Sequence, residues 1–288
     1  MTTSPPHGER LLPINGVELC TQSFGDPDAP ALLLIGGAEA SMDWWDDEFC
    51  GRLAAGGRNV IRYDTRDTGR STTFPPGRPP YGGDALIADA LGVLDALRID
   101  AAHIVGVSMG GGIAQHLAVH HPGLVASLTL IATSPGGSGL PPMSRELADA
   151  FARDDEAPDW SDREAVIAHY TEGERTFAGT IPVDEEWLRQ IVGRAWDRSP
   201  SPASAQNHFL LDGGEPLRGR LGEIAASTLV LHGTADPLFP YQHGEVLARE
   251  IPGARLVPLS GMGHGMPPEI LWDIVIAEIL CVSEGGRS

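Results

Sequence analysis

Short apolar runs alternate along this chain with longer segments whose apolar residues return every three or four positions. The runs are ALLLI (31–35), NVIRYD (59–64), AHIVGVS (102–108), ASLTLIAT (126–133), STLVLHG (227–233) and ARLVPLSG (254–261). Runs of that length suit strands buried on both faces of a sheet. Helical spacing is clearest in DALIADALGVLDAL (84–97), in 111–121 and in EILWDIVIAEIL (269–280). At the start, LLPI and VELCTQSF flank Asn15-Gly16, a pair that accepts the positive φ of a tight hairpin turn. Buried strands alternating with amphipathic helices predict an α/β fold, a mostly parallel eight-stranded sheet with helices on both faces.

One stretch breaks the alternation. Between 135 and 222 nothing reads as a strand. The segment opens on SPGGSGLPP and continues as short helical pieces separated by prolines. It also holds Trp160, Trp187 and Trp196, half of the six tryptophans. A connection that long is too large for an ordinary loop and predicts an inserted helical subdomain. The expected organisation is a core of 1–134 and 223–288 with a helical cap at 135–222. Joining the sixth and seventh strands, the cap is expected to lie over their carboxyl ends as a lid and pocket wall.

Composition narrows the chemistry. The 288 residues carry 20 basic and 39 acidic side chains, a formal charge of −19, and every basic one is arginine. A GC-rich gene leaves the same signature, yet the missing lysine has chemical consequences. It excludes a Walker A phosphate loop, Schiff-base catalysis, and the serine–lysine pair of penicillin-binding proteins and related β-lactamases. The acidic balance argues against a nucleic-acid partner, which needs a basic face. It is expected instead to attract cationic substrates such as aminoglycosylated esters. Cys20, Cys50 and Cys281 are odd in number and widely spaced. They form neither a disulfide framework nor a zinc site, and they fit a reducing compartment. The N-terminal MTTSPPHGER lacks the apolar core of a signal peptide, and no apolar run approaches the ~20 residues that span a bilayer. The expectation is a cytoplasmic protein, monomeric or a small homo-oligomer, with no membrane partner.

The most informative stretch is Gly106-Val107-Ser108-Met109-Gly110, a G-x-S-x-G between an apolar strand and a helical segment. That context predicts a nucleophile elbow, a serine held on a strained strand-to-helix turn. Gly106 and Gly110 remove side chains that would collide there, and the helix N-terminus favours negative charge nearby. A serine hydroxyl needs a base and an orienting acid, and in this architecture they follow in the order serine, acid, histidine. Asp236 lies just past STLVLHG and His264 just past ARLVPLS. Both positions are carboxyl ends of parallel strands, where ligands bind in open α/β sheets. The other histidines fit less well. His103 starts a strand at the opposite edge, His116, His120 and His121 lie along a surface helix, and His169 and His208 fall in the insertion. His232 sits within a strand, and His243 opens a helix.

The predicted chemistry has Ser108 attack a carbonyl carbon, His264 take its proton and Asp236 fix the imidazole tautomer, with water cleaving the acyl-enzyme. Expected oxyanion donors are the backbone amides of Met109 and of Ala38, with Gly37 the alternative, in the glycine-bearing loop after ALLLI. Candidate pocket residues are Gly37, Glu39, Met262 and the insertion's Trp160, Trp187 and Trp196. Glu39, an odd neighbour for an oxyanion site, is expected to face solvent. The scheme needs no cofactor and no metal; its partners are a small-molecule ester or lactone and water. The charged stretch Asp64-Thr65-Arg66-Asp67-Thr68-Gly69-Arg70-Ser71 looks like a binding loop but is expected to be an internally bonded turn.

The segments ALLLIGG, VIRYDTRDTGRST, HIVGVSMGGGIAQ, TLVLHGTADPLFPYQHGEVLA and IPGARLVPLSGMGH together resemble an α/β-hydrolase, more narrowly the aclacinomycin methylesterase group of serine esterases. The similar parts cover roughly 10–135 and 222–280. The resemblance implies Ser108, Asp236 and His264 as a triad, amides near Ala38 and Met109 as the oxyanion hole, a helical cap, and bulky polyketide-derived esters as one substrate class. The cap departs from that group in length and sequence, so methyl-ester specificity does not carry over; related serine hydrolases open macrolide lactones. A serine at 108 argues against epoxide hydrolases and haloalkane dehalogenases, which need a carboxylate nucleophile. A cofactor-free haloperoxidase or perhydrolase would use the same three residues. A non-catalytic ligand-binding protein on this fold is the alternative of a different class.

Overall fold

The structure, a computed structural model, describes residues 7–153, 157–212 and 217–284. MTTSPP, the start of the segment expected to be no signal peptide, lies outside them. Strands β1 (Arg10–Ile14) and β2 (Val17–Phe24) form the expected hairpin. Ile14 pairs with Val17 across Asn15 and Gly16, whose φ values of 49° and 79° suit a tight I′ turn. Then β3 (Ala31–Ile35), α1 (Asp47–Ala55), β4 (Asn59–Tyr63), α2 (Gly83–Ala96), β5 (Ala102–Val107), α3 (Met109–His120) and β6 (Val125–Ile131) alternate. Helices α4 (Arg145–Phe151), α5 (Arg163–Phe177) and α6 (Glu185–Arg198) follow, and β7 (Ser227–Gly233), α7 (Gln242–Glu250), β8 (Arg255–Leu259) and α8 (Trp272–Glu284) close the chain.

All eight strands join one sheet in the order β1-β2-β4-β3-β5-β6-β7-β8. The β1–β2 and β2–β4 pairs are antiparallel and the rest parallel. Successive strand residues point to opposite faces, so a run apolar at every position feeds two cores. Leu33, Ile35 and Ile104 pack with residues of α2, α3 and α7 on one side. Leu32, Leu34, Val105 and Val107 pack on the other with Phe49 and Leu53 of α1 and Val275 and Ile279 of α8. The spacing does not announce α1. Asp46 caps it by accepting the Glu48 amide, and its buried face holds Phe49, Cys50 and Leu53.

Among the described residues no strand lies between β6 and β7. Val166 and Ile167 of α5 and Leu188, Ile191 and Val192 of α6 make a small core of their own, completed by Ala40 and Trp44 from the β3–α1 connection. The block's last turn belongs with the sheet, because Leu217 and Leu221 pack beside residues of α3 and α7. No described helix is long and apolar enough to cross a membrane.

Candidate active site

The chain turns sharply between β5 and α3, and Ser108 sits at the turn with φ 52° and ψ −115°. A side-chain-bearing residue at positive φ is strained and persists only where its surroundings hold it. Here Ser108 N donates to Ile131 O (3.0 Å), and its carbonyl accepts the Thr133 hydroxyl (2.8 Å). The flanking glycines are required by contact. A Cβ on Gly106 would lie 2.2 Å from the Gly110 carbonyl oxygen, and one on Gly110 2.3 Å from that of Ile35.

Asp236 follows β7 and its carboxylate organises its own turn: Oδ1 accepts the amides of Leu238 (2.9 Å) and Phe239 (2.8 Å). Oδ2 is left for His264, whose Nδ1 lies 3.0 Å away, while His264 Nε2 lies 3.0 Å from Ser108 Oγ. An ionised carboxylate only accepts, so Nδ1 carries the proton and Nε2 presents a lone pair to the serine hydroxyl. The structure thus brings together the three residues that the sequence singles out from three strand ends. His232, four residues before Asp236, adds a contact that the sequence reading leaves out. Its Nε2 donates to the Phe239 carbonyl (2.7 Å) and lies 3.6 Å from Asp236 Oδ2. Burial holds His232 below the ordinary imidazole range, so it stands beside Asp236 uncharged and does not compete with His264 for the carboxylate. The spacing H-G-T-A-D could have pointed to this pair.

Met109 is the first residue of α3, a position whose amide has no acceptor within its helix. In the β3–α1 loop the Glu39 amide is committed to His208 Nδ1 (2.9 Å), which leaves Gly37 and Ala38 as candidate donors. Gly37 abuts Ser108: a Cβ there would lie 3.6 Å from Ser108 Cβ.

Glu39 does not face solvent, contrary to expectation. At φ 62° its side chain reaches α5, where Oε1 accepts from the Tyr170 hydroxyl (3.2 Å), and accepts also from the Gln206 amide. Burial pushes its carboxyl up to about 7 against these two bonds. Glu174, one helical turn beyond Tyr170, is likewise pushed to about 7 by burial and by repulsion from Glu39. Among the described residues no arginine is close enough to either to hold it ionised.

Two cavities flank this acidic layer. One, about 400 Å³, is lined by Glu39, Trp44, Tyr170 and Trp196 among others. The other, about 660 Å³, reaches His264 and is walled by Met262, Trp187, Trp272, Ile181 and Glu174. Trp160 lines neither; it packs on His169 of α5, and its carbonyl accepts the Trp196 indole N–H (3.0 Å). The 64–71 stretch is internally bonded: Asp64 accepts the Arg70 amide (2.9 Å) and, at its carbonyl, the Ser71 hydroxyl (2.6 Å), and the Thr65 carbonyl accepts the Thr68 amide (3.1 Å). It is also tied to its surroundings, since Asp64 accepts the Met42 amide (2.8 Å), Arg66 pairs with Asp89, and Asp67 accepts the Tyr81 hydroxyl and the Asn207 amide.

The profile of the alpha/beta hydrolase fold family matches residues 30–269. The chain belongs to this family. It is 35% identical over 277 residues to rhodomycin D methylesterase DauP of Streptomyces sp. (strain C5), covering 90% of this chain and 92% of that one. It is 34% identical over the same length and coverage to rhodomycin D methylesterase DnrP of Streptomyces peucetius. Among solved structures, a hydrolase from Pseudomonas aeruginosa PA01 superposes with TM-score 0.72 at 25% identity, covering 97% of this chain and 99% of that one. This alpha/beta hydrolase is therefore an enzyme of the hydrolase class, similar to esterases.

Proposed function

We propose that the enzyme is a serine carboxylic-ester hydrolase in which Ser108 is the nucleophile, His264 the general base and Asp236 the partner of the imidazole. One observation carries the reading: the continuous relay from Ser108 Oγ through His264 to Asp236, with 3.0 Å at both links. Ser108 Oγ attacks the ester carbonyl carbon as Nε2 takes its proton, and the imidazolium, balanced by Asp236, returns that proton to the departing alcohol oxygen. Water, deprotonated by the same Nε2, then attacks the acyl-serine and regenerates the hydroxyl. Developing charge on the carbonyl oxygen is met by the amides of Met109 and Ala38; losing one such donor costs roughly 3–4 kcal/mol.

The proposed substrate is a bulky, apolar natural-product ester of the polyketide kind, with a methyl ester as the leading form. Supporting it are the largely apolar cavity beside His264 and the similarity to rhodomycin D methylesterases. Helices α5 and α6 wall both cavities, and the cap is proposed as the element that selects the acyl group. A macrocyclic lactone would react through the same steps; mass spectrometry separates it, since ring opening adds water while ester cleavage releases methanol. A fluorophosphonate should label Ser108, and Ser108→Ala should abolish hydrolysis without unfolding the chain. An accessible Ser108 that stays unlabelled, or turnover retained in Ser108→Ala, refutes the assignment.

A further inference from the structure

The loop that carries His264 is held by more than the sheet. Its amide donates to the carbonyl of Phe177 (2.9 Å), the last residue of α5. Three residues earlier, the Gly261 carbonyl accepts the amides of Thr180 (2.8 Å) and Ile181 (3.2 Å). Three backbone hydrogen bonds therefore join 177–181, the connection from α5 towards α6, to 261–264. The two backbones approach so closely that side chains are excluded from the seam. A Cβ on Gly179 would lie 2.3 Å from the Gly261 carbonyl oxygen and 2.7 Å from the Gly263 nitrogen. One on Gly263 would lie 2.1 Å from the Phe177 carbonyl oxygen. The Phe177 ring also packs on the His264 imidazole, centroids 5.8 Å apart, while Phe239 meets it edge-on at 5.2 Å.

We infer that the cap segment 177–181 is a positioning element for His264: it sets where the imidazole stands relative to Ser108. This rests on the proposed role of His264 as the base. Ser108 is fixed by β5 and α3, and the Asp236 carboxylate by the amides of its own turn. A shift of α5 relative to the sheet therefore acts first on the imidazole. The contact it would disturb, 3.0 Å between Nε2 and Oγ, tolerates little, because a misplacement of about 1 Å can cost roughly 100-fold in rate. The same seam forms part of the larger cavity: Ala178, Gly179 and Ile181 line it from one side, Met262, Gly263 and His264 from the other. An acyl group filling that cavity touches the positioning segment and the base together. Large acyl groups should gain in kcat, and not only in KM, over small ones that leave the seam untouched.

The test compares Gly179→Ala with Gly173→Ala, a control within α5 where an added methyl meets nothing within 4 Å. Steady-state hydrolysis of a bulky aryl ester and the rate of fluorophosphonate labelling of Ser108 are read in the intact chain, with folding followed by circular dichroism. Expected for Gly179→Ala is a loss of about 100-fold in kcat with KM nearly unchanged and labelling slowed in proportion; Gly173→Ala keeps the parent values. A folded Gly179→Ala that labels and turns over like the parent overturns the inference. Should Gly179→Ala not fold, Phe177→Ala and Phe177→Leu decide. Loss of kcat in the first, restored in the second at constant KM, supports positioning; equal kcat in both and the parent overturns it. If the parent itself is not labelled at Ser108, the proposed chemistry has failed instead.

Discussion

Arg198 offers the sharpest test of how the cap is fastened. It is the last residue of α6 and reaches into the core, where its guanidinium meets Asp43 Oδ2 (2.5 Å), Asp64 Oδ2 (2.6 Å) and Glu9 Oε1 (2.9 Å). The Asp64 side chain is 0% exposed and that of Asp43 6%. Arg198→Met keeps much of the aliphatic stem and removes the charge, leaving the buried Asp64 without its cation and Asp43 with only Arg194, 4.0 Å away. Breaking a buried pair in this way costs about 3–5 kcal/mol. Asp64 still accepts two amides and Asp43 the Ser41 hydroxyl (2.8 Å), so the low end, about 3 kcal/mol, is expected. The loss should depend on pH. Burial already raises the Asp64 carboxyl, and Arg198 is the foremost group opposing that rise. Without the arginine the folded chain holds the Asp64 proton to higher pH than the unfolded chain does. Folded variant molecules are then relieved as pH falls, and the deficit against the parent is larger at pH 8 than at pH 5. Urea unfolding at both pH values reads the difference, and hydrogen exchange along α6 reads the local opening. A loss below about 1 kcal/mol at pH 8, or the same loss at both pH values, would falsify the picture of a buried clamp.

Three further outcomes are expected. Asp236→Asn keeps an oxygen for its turn but turns the imidazole to the wrong tautomer, so kcat should fall about 10⁴-fold; a drop below tenfold contradicts the relay. Gly110→Ala drives a methyl into the Ile35 and Gly36 carbonyls, so a variant melting at the parent temperature with Ser108 still reactive would show that the elbow tolerates what its contacts forbid. Glu39 and Glu174, raised from 4.5 to about 7, hold protons in the folded chain that the unfolded chain has already released. Their contribution is therefore full below pH 4.5 and lost as pH rises through 7. Each shift is worth about 3 kcal/mol at full burial and less for groups half open to a cavity. Replacing both by Gln should flatten the decline in urea midpoint between pH 5 and 8, and an unchanged slope would remove these carboxyls as its source.

The central strands were legible because each is built around a short apolar run, β3 being apolar at every position, as burial on both faces of a sheet requires. That Ser108, Asp236 and His264 meet was legible for a related reason: each follows the carboxyl end of a parallel strand, and those ends share one edge of the sheet. The surroundings of the site were not. Glu39 is turned by a backbone at φ 62° and held by Tyr170 and Gln206, 131 and 167 residues away, contacts that no local pattern encodes. Among the cap tryptophans, Trp187 and Trp196 reach cavities and Trp160 does not, because aromatic content says nothing about which helix face meets the core. Helix α1, with one turn of buried side chains among acidic residues, has too weak a period to stand out. Nothing in the sequence sets Gly179, Gly261 and Gly263 apart, and only the folded chain reveals how closely their backbones approach.

That last contact bears on how this enzyme can be modified. A cap is an attractive unit to exchange between relatives when a new specificity is wanted, and its natural cut points are the ends of its helices. Here one such end is bonded to the loop that bears His264, so a graft joined at 177–181 would import a foreign seat for the proposed base along with the foreign pocket. Splices placed within α5 and α6, leaving Phe177 to Ile181 as they stand, keep the machinery of bond cleavage separate from the surfaces that choose what is cleaved.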